Sequence, residues 1–284
     1  MKVYLIAFDS MGVRSMATFI ETSEGSFLID PGASLAPRRY GLPPHEKELT
    51  VLREKLDAIY DFVEKSDYII ISHYHRDHYL YRLGEENYYS GKTLFIKNPQ
   101  AFINHSQKMR SYVLLDRMKV KTLARTIVYA DSAKFKIGRV SFEFSHPVPH
   151  GQCNSRLGWV LITSIIEDGE SIVHASDIQG CLCDDSLNYL LERKPSILIM
   201  SGPPTYLGEK QDYFTNLEKL LEKTTHNMVL ILDHHLLRDR SYAEYFARLR
   251  RLNNNVHITT AAEYMGEEVN QLEAKRDILW RNER

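Results

Sequence analysis

The stretch Ser72-His73-Tyr74-His75-Arg76-Asp77-His78 follows directly on the apolar run Ile69-Ile70-Ile71. Three consecutive β-branched residues read as a buried strand. In extended backbone, residues i and i+2 point to one side, whereas on a helix His73 and His75 would lie roughly 200° apart. A strand end carrying both is therefore a two-toothed metal ligand. Asp77 suits the start of a following helix, and a turn there aims Asp77 and His78 at a point beside the first ion. Neutral imidazole and carboxylate suit a borderline divalent ion, zinc first, with iron or manganese as alternatives.

Four side chains do not fill two coordination spheres, so further ligands must come from distant strand ends. Pro149-His150-Gly151 precedes a strand predicted at 157–163, Ser176-Asp177 follows one at 171–175, and Asp233-His234-His235 follows one at 228–232. Side chains on loops at strand ends can converge on a sheet edge. Around them the chain opens with short strands at 3–8, 18–20 and 26–29. A loop rich in Pro and Gly covers 31–45, and an amphipathic helix covers 46–65. Further strands are predicted at 67–71, 93–96, 139–144 and 196–200, with helices at 184–193, 212–223, 242–252 and in the charged run from Glu267. No Pro/Gly/Ser-rich linker divides the chain, which predicts one domain, 1–284, of mixed sheets covered by helices.

Of the 284 residues, 43% are hydrophobic and 26% charged, values of a soluble globular protein with no bilayer span, and a cytoplasmic location is expected. Asp9 interrupts the apolar run at the N-terminus before a secretory segment could develop. Three cysteines, with Cys181 and Cys183 too close in sequence to anchor a disulfide framework, predict plain thiols in a reducing compartment. The formal charge of -1 hides an asymmetry: residues 91–139 hold eleven Lys or Arg against Asp116 and Asp131, so that segment is +9 and the remainder -10. Such a run marks either an anionic partner or a solvated helical face. Arg14, in the Gly12-Val13-Arg14 turn, and Arg38, in the 31–45 loop, are candidate clamps for a substrate phosphate.

Taken in order, Asp30, then His73-x-His75-x-Asp77-His78, then His150, Asp177 and His234 or His235 resemble the five-part signature of the metallo-β-lactamase-fold hydrolases. The wording of Asp9-Ser10-Met11-Gly12-Val13-Arg14-Ser15 and Asp30-Pro31-Gly32 is similar to an uncharacterised archaeal branch of that superfamily. The resemblance implies an α/β four-layer αββα sandwich holding two divalent metal ions, most simply zinc, in a cleft along one edge of the sheets. His73, His75 and His150 would hold one ion, Asp77, His78 and the late histidine the other, and Asp177 would bridge. His234 is the expected late ligand because it stands nearer the strand end, with His235 in the cleft. Asp30 would orient the ligands from behind, as carboxylates behind metal-bound histidines do.

The implied reaction is hydrolysis by a hydroxide bridging the two ions, with Asp77 orienting it and returning a proton to the leaving group. His235, or His146, would stabilise the developing oxyanion. The basic segment, read as an insertion at about 91–139 between the second and third motifs, tilts the substrate toward phosphoesters, including nucleic acid. The competing expectations are a mononuclear iron oxidoreductase of the persulfide dioxygenase type and a thioester or small-ester hydrolase. A binding module with structural metals fits poorly, because loop-borne ligands leave the site open.

Overall fold

A computed structural model describes residues 1–208 and 213–282 of the chain. Strands β1 (Lys2–Phe8), β2 (Met16–Thr22), β3 (Gly25–Ile29), β4 (Tyr68–Ile71), β5 (Thr93–Ile96) and β6 (Thr126–Tyr129) form one sheet in that spatial order. The first three are antiparallel hairpin neighbours, and β3 to β6 run parallel. Next come β7 (Lys134–Ile137) and β8 (Val140–Phe144), and then a short pair, β9 (Val148–Pro149) with β10 (Trp159–Val160). Strands β11 (Thr163–Glu167), β12 (Glu170–Ala175), β13 (Ile197–Ser201), β14 (Met228–Asp233) and β15 (Val256–Thr259) complete the second sheet, ordered β15-β14-β13-β12-β11-β8-β7. Here too the chain changes from antiparallel (β7, β8, β11, β12) to parallel (β12 to β15).

Side-chain alternation explains the layers, since successive residues of a strand face opposite sides. Ile69 and Ile71 of β4 join a cluster with Leu56, Ile59 and Val63 of α1 (Glu46–Lys65), while Ile70 between them faces the other sheet. The α1 helix starts at a capping box, with the His45 ring accepting from the Lys47 N–H and Glu48 accepting from the His45 N–H. Short helices α2 (His105–Tyr112) and α3 (Val120–Leu123) extend that layer. On the far side, Leu198, Met200, Leu230 and Leu232 pack with Leu187, Leu217, Leu220 and Phe246 of α4 (Asp184–Arg193), α5 (Thr215–Lys223) and α6 (Tyr242–Leu249). Ile199 and Ile231 point inward to meet Phe27, Phe95 and Phe142 between the sheets. The result is helix, sheet, sheet, helix, closed by α7 (Ala261–Tyr264) and α8 (Arg276–Arg281).

Several expectations shift. The strand predicted at 157–163 divides into β10 and β11, with the chain leaving one pairing for another at Leu161 and Ile162. The helix predicted from Asp212 begins at Thr215, and Asp212 itself lies outside the described residues. The basic segment supplies β5, β6 and β7, and buries Leu114, Leu115 and Val120 against the first sheet. Much of its charge is spent locally: Lys97 pairs with Asp131, Lys121 with Asp116, Lys134 with Glu143 and Arg139 with Asp168, and the Lys92 ammonium donates to the Ser66 carbonyl beyond α1. Lys108, Arg117, Lys119 and Arg125 are exposed. The expectation of three plain thiols is corrected. Cys153 and Cys183 form a disulfide across 30 residues, because the loop after β9 folds back onto the start of α4 and brings the two Cα atoms to 5.0 Å; only Cys181 is free, and it is buried. Among the described residues no helix is long and apolar enough to cross a membrane.

Candidate metal centre

Four strands deliver the polar side chains. Asp30 follows β3, the Ser72-to-His78 stretch follows β4, Ser176 and Asp177 follow β12, and His234 and His235 follow β14, with His150 added from the end of β9. Asp30 (φ 49°), Asp177 (φ 48°) and His234 (φ 56°) are all left-handed. A residue other than Gly in that region costs about 1–3 kcal/mol, and such residues cluster where geometry is dictated by function. The turn that carries Asp77 and His78 is pressed against the Asp30-Pro31-Gly32 corner, where a Cβ on Gly32 would lie 2.2 Å from the Tyr79 nitrogen.

Asp177 sits at the middle of the cluster. Its Oδ2 lies 2.7 Å from His150 Nε2, 3.4 Å from His73 Nε2 and 3.9 Å from His75 Nδ1. It is also 3.4 Å from His78 Nε2. Its Oδ1 lies 3.2 Å from His234 Nε2 and 3.9 Å from His235 Nδ1. Four overlapping donor groups emerge, each with its atoms within 4.8 Å of one another: His73, His75, His150 and Asp177; Asp77, His78 and His234; Asp30, His73 and His78; and Asp177, His234 and His235, of which the first two share no residue. His234 Nε2 is 3.6 Å from Asp77 Oδ2, so of the two late histidines it is His234 that joins Asp77 and His78; His235 groups with Asp177 and His234.

Hydrogen bonds behind the cluster fix which ring nitrogen faces it. Asp30 accepts from the Ser72 N–H at 2.8 Å, the Ser72 hydroxyl at 2.7 Å and His78 Nδ1 at 3.0 Å. Because the Ser72 hydroxyl donates to Asp30, His73 Nδ1–H donates to that hydroxyl, at 2.9 Å. Burial alone would raise the Asp30 carboxyl, but the bond and charge of His78 bring it down to about 2. His234 has its own carboxylate: Asp9 accepts from His234 Nδ1 at 2.6 Å. In the sequence Asp9 reads only as a break in the N-terminal apolar run and as part of a motif, with no role in the site. The signal for one, a buried carboxylate closing the first strand, becomes visible only in three dimensions. Arg238 was missed altogether. It is buried beside Asp9 and His234, with Nε donating to Asp9 Oδ1 at 2.7 Å.

Burial acts on every group here. It pushes the His73 and His235 rings toward the neutral form, and the neighbouring His78 and Arg238 charges add to this. Burial would raise Asp177 as well, yet the surrounding His78, His150, His234 and His235 hold it well below the ordinary carboxylate range. His78 and His234 go the other way: burial would make them neutral, but Asp177 and Asp77 beside His78, and Asp9 beside His234, favour their charged forms, so these two rings would release a proton when an ion binds.

Three expected site residues lie elsewhere. The Arg14 guanidinium is held by both Glu273 oxygens at 2.6 Å and is not a free clamp. Arg38 is exposed and reaches only the Gly41 carbonyl of its own loop. His146 is exposed, rests on Phe102, and lines a surface pocket with Asp185, Tyr189 and Glu192 rather than the cluster.

The donor set itself tests whether metal fits. The Nε2 atoms of His73, His78 and His150, Nδ1 of His150 and His235, and Oδ1 of Asp177 are buried without a hydrogen-bond partner in the protein. Each such atom costs about 1–3 kcal/mol, and divalent ions held among these nitrogens and carboxylates would satisfy them.

Residues 11–80 match the metallo-beta-lactamase superfamily. Over 295 residues the chain is 42% identical to a UPF0282 protein of Methanocaldococcus jannaschii, covering 97% of this chain and 95% of that one. Among solved structures, the metallo-beta-lactamase fold protein YhfI from Bacillus subtilis superposes with a TM-score of 0.56 at 15% identity, over 91% of this chain and 96% of that one. A diphosphatase of the PhnP family superposes with a TM-score of 0.51 at 16% identity, over 87% and 81%. Fold, ligand order and full-length similarity agree: the chain belongs to the archaeal UPF0282 proteins, a branch of the metallo-beta-lactamase superfamily.

Proposed function

We propose that the protein is a dinuclear metal-dependent hydrolase acting on a phosphoester. The observation that carries this reading is the central position of Asp177, whose Oδ2 lies among His73, His75, His150 and His78 while Oδ1 faces His234, so that one carboxylate reaches members of both donor groups. A carboxylate placed within reach of two donor groups would be suited to bridge two ions. His73, His75 and His150 would hold one, and Asp77, His78 and His234 the other, zinc being the best match to the ligand chemistry. A mononuclear iron site would leave the second group without a use. Bound ions of this kind supply Lewis acidity and lower the pKa of water.

The protein's own groups do the rest. Asp77 is 16% exposed at the cleft. Burial would raise its carboxyl, but His78, His234 and Arg238 keep it ionised. It can therefore accept a hydrogen bond from the attacking water, take its proton, and pass that proton to the leaving oxygen as the phosphorus–oxygen bond breaks. His235, neutral and with Nδ1 unpartnered, can donate to an oxygen on which charge develops. The phosphoester assignment is supported by the exposed Lys108, Arg117, Lys119 and Arg125 and by the diphosphatase among the fold neighbours.

Elemental analysis of protein purified without chelator, together with a screen of phosphoester, thioester and persulfide substrates, tests the reading. The expected result is two metal equivalents per chain and phosphoester hydrolysis abolished in a folded His73→Ala variant. One equivalent of iron with persulfide oxidation, or a fully active His73→Ala protein, would overturn it.

A further inference from the structure

Arg238 has donors that the protein does not use well. Its side chain is 4% exposed, and Nε has a short bond to Asp9. Its Nη2 lies 3.1 Å from Nε2 and 3.4 Å from Nδ1 of His234. Near-equal distances to both ring nitrogens put Nη2 over the face of the ring, away from the ring plane in which a lone pair accepts. Nη1 is 3.5 Å from the Tyr206 hydroxyl, the outer limit of a hydrogen bond. Among the described residues, one of its five guanidinium N–H groups is well satisfied, that of Nε. The others sit beside the cleft, since Nη2 is 3.9 Å from the partly exposed Asp77 Oδ2. Tyr206 is half-buried, and its ring packs against Arg39 at 4.8 Å as well as Arg238 at 5.9 Å, which holds the hydroxyl next to Nη1.

Metal ions accept any electron-rich oxygen and so select little. A guanidinium fork at their side adds directional donors matched to a tetrahedral oxyanion. We propose that Arg238, assisted by the Tyr206 hydroxyl, binds the non-bridging oxygens of a phosphoryl group and makes this site selective for phosphoryl anions over neutral esters. The proposal deepens the phosphoester reading above and rests on it for substrate class.

The test uses the metal-loaded full chain, calorimetric titration with inorganic phosphate, and steady-state hydrolysis of bis(4-nitrophenyl) phosphate. Variants are Arg238→Met, Arg238→Lys and Tyr206→Phe, each checked for metal content and melting. The expected result is that Arg238→Met weakens phosphate binding and raises KM by about tenfold or more. Arg238→Lys recovers part of this, Tyr206→Phe costs a few-fold, and metal content stays at the wild-type level. Unchanged phosphate affinity and KM in folded variants overturn the proposal. So does a loss in Arg238→Met that tracks loss of metal while Arg238→Lys and Tyr206→Phe bind as wild type, since the arginine would then act only through Asp9 and His234. Phosphate binding that depends on Arg238, in a wild-type protein that hydrolyses no phosphoester, keeps the anion site and removes the phosphoester reading.

Discussion

Replacing Gly32 by Ala strikes the site from behind, through the backbone of His78 rather than through any ligating side chain. An added Cβ would lie 2.2 Å from the Tyr79 nitrogen, 2.7 Å from the His78 carbonyl carbon and 2.8 Å from the His78 nitrogen. These are backbone atoms, so no side chain can swing aside. Ordinary contact begins at 3.4 Å, so the two segments must separate by about 1.2 Å. Neither is free to move: the Gly32 carbonyl accepts from the Ser15 hydroxyl, and the His78 nitrogen donates to His75 at 3.0 Å. A displacement of that size takes His78 Nδ1, now 3.0 Å from Asp30, beyond hydrogen-bond range. Overpacking of this kind costs about 1–3 kcal/mol, and losing the carboxylate behind a ligand costs roughly 10–100-fold in metal affinity. Thermal melting and metal content after dialysis against a weak chelator measure both. Gly41→Ala serves as the comparison: its φ is +75° but its Cβ meets nothing within 4 Å, so it carries backbone strain without a collision. Full metal retention and wild-type melting in Gly32→Ala would refute the argument.

Three other outcomes follow from the same geometry. His234→Ala should release one metal equivalent, whereas His235→Ala should keep both and lose turnover; the reverse pattern would exchange their roles. Asp9→Asn should lower affinity for one ion by about 10–100-fold with the fold intact, because it removes the carboxylate that orients His234; calorimetric titration of the apoprotein reads this directly. If the exposed Lys119 and Arg125 contact nucleic acid, the log-log salt slope of binding to single strands should fall by about 0.7 for each of Lys119→Ala and Arg125→Ala. Binding that ignores both substitutions would leave these side chains as a solvated face.

The candidate ligands were legible because their chemistry is rare and local: two histidines two residues apart, just after a strand ending in three isoleucines, have few other uses. The layers were legible because Ile69-Ile70-Ile71 and the run from Ile197 to Ser201 are buried on both faces. What escaped was non-local. Asp9 and His234 are 225 residues apart, and Asp9 and Arg238 are 229 apart, so no spacing rule links them. The Cys153–Cys183 bridge depends on how one loop folds back, which cysteine spacing does not encode. β6 and β7 escaped because their burial is only intermediate to exposed, the weak pattern of edge strands, within a segment whose most conspicuous feature is its positive charge.

The two donor groups are held in place by different means. Behind the second group stand carboxylates: Asp30 fixes His78 and Asp9 fixes His234. Asp30 also reaches His73 of the first group through the Ser72 hydroxyl. His150 has no such support, for both of its ring nitrogens lack a partner in the protein. Its position is instead set by backbone, through its own N–H to the Gly158 carbonyl at 2.9 Å and the loop that the Cys153–Cys183 disulfide ties to the start of α4. On the proposed dinuclear reading, damage to a carboxylate should therefore fall mainly on an ion held by Asp77, His78 and His234, and damage to the 150–158 loop on one held by His73, His75 and His150. Asp177 belongs to the first group, also approaches His78 and His234 of the second, and is itself held in a left-handed conformation just beyond β12. The parallel core of the second sheet bears the cost of that strain. β12 is paired in register with both β11 and β13, and its Val173 and Ala175 are fully buried, so the Asp177 carboxylate stands just beyond a central, well-anchored strand.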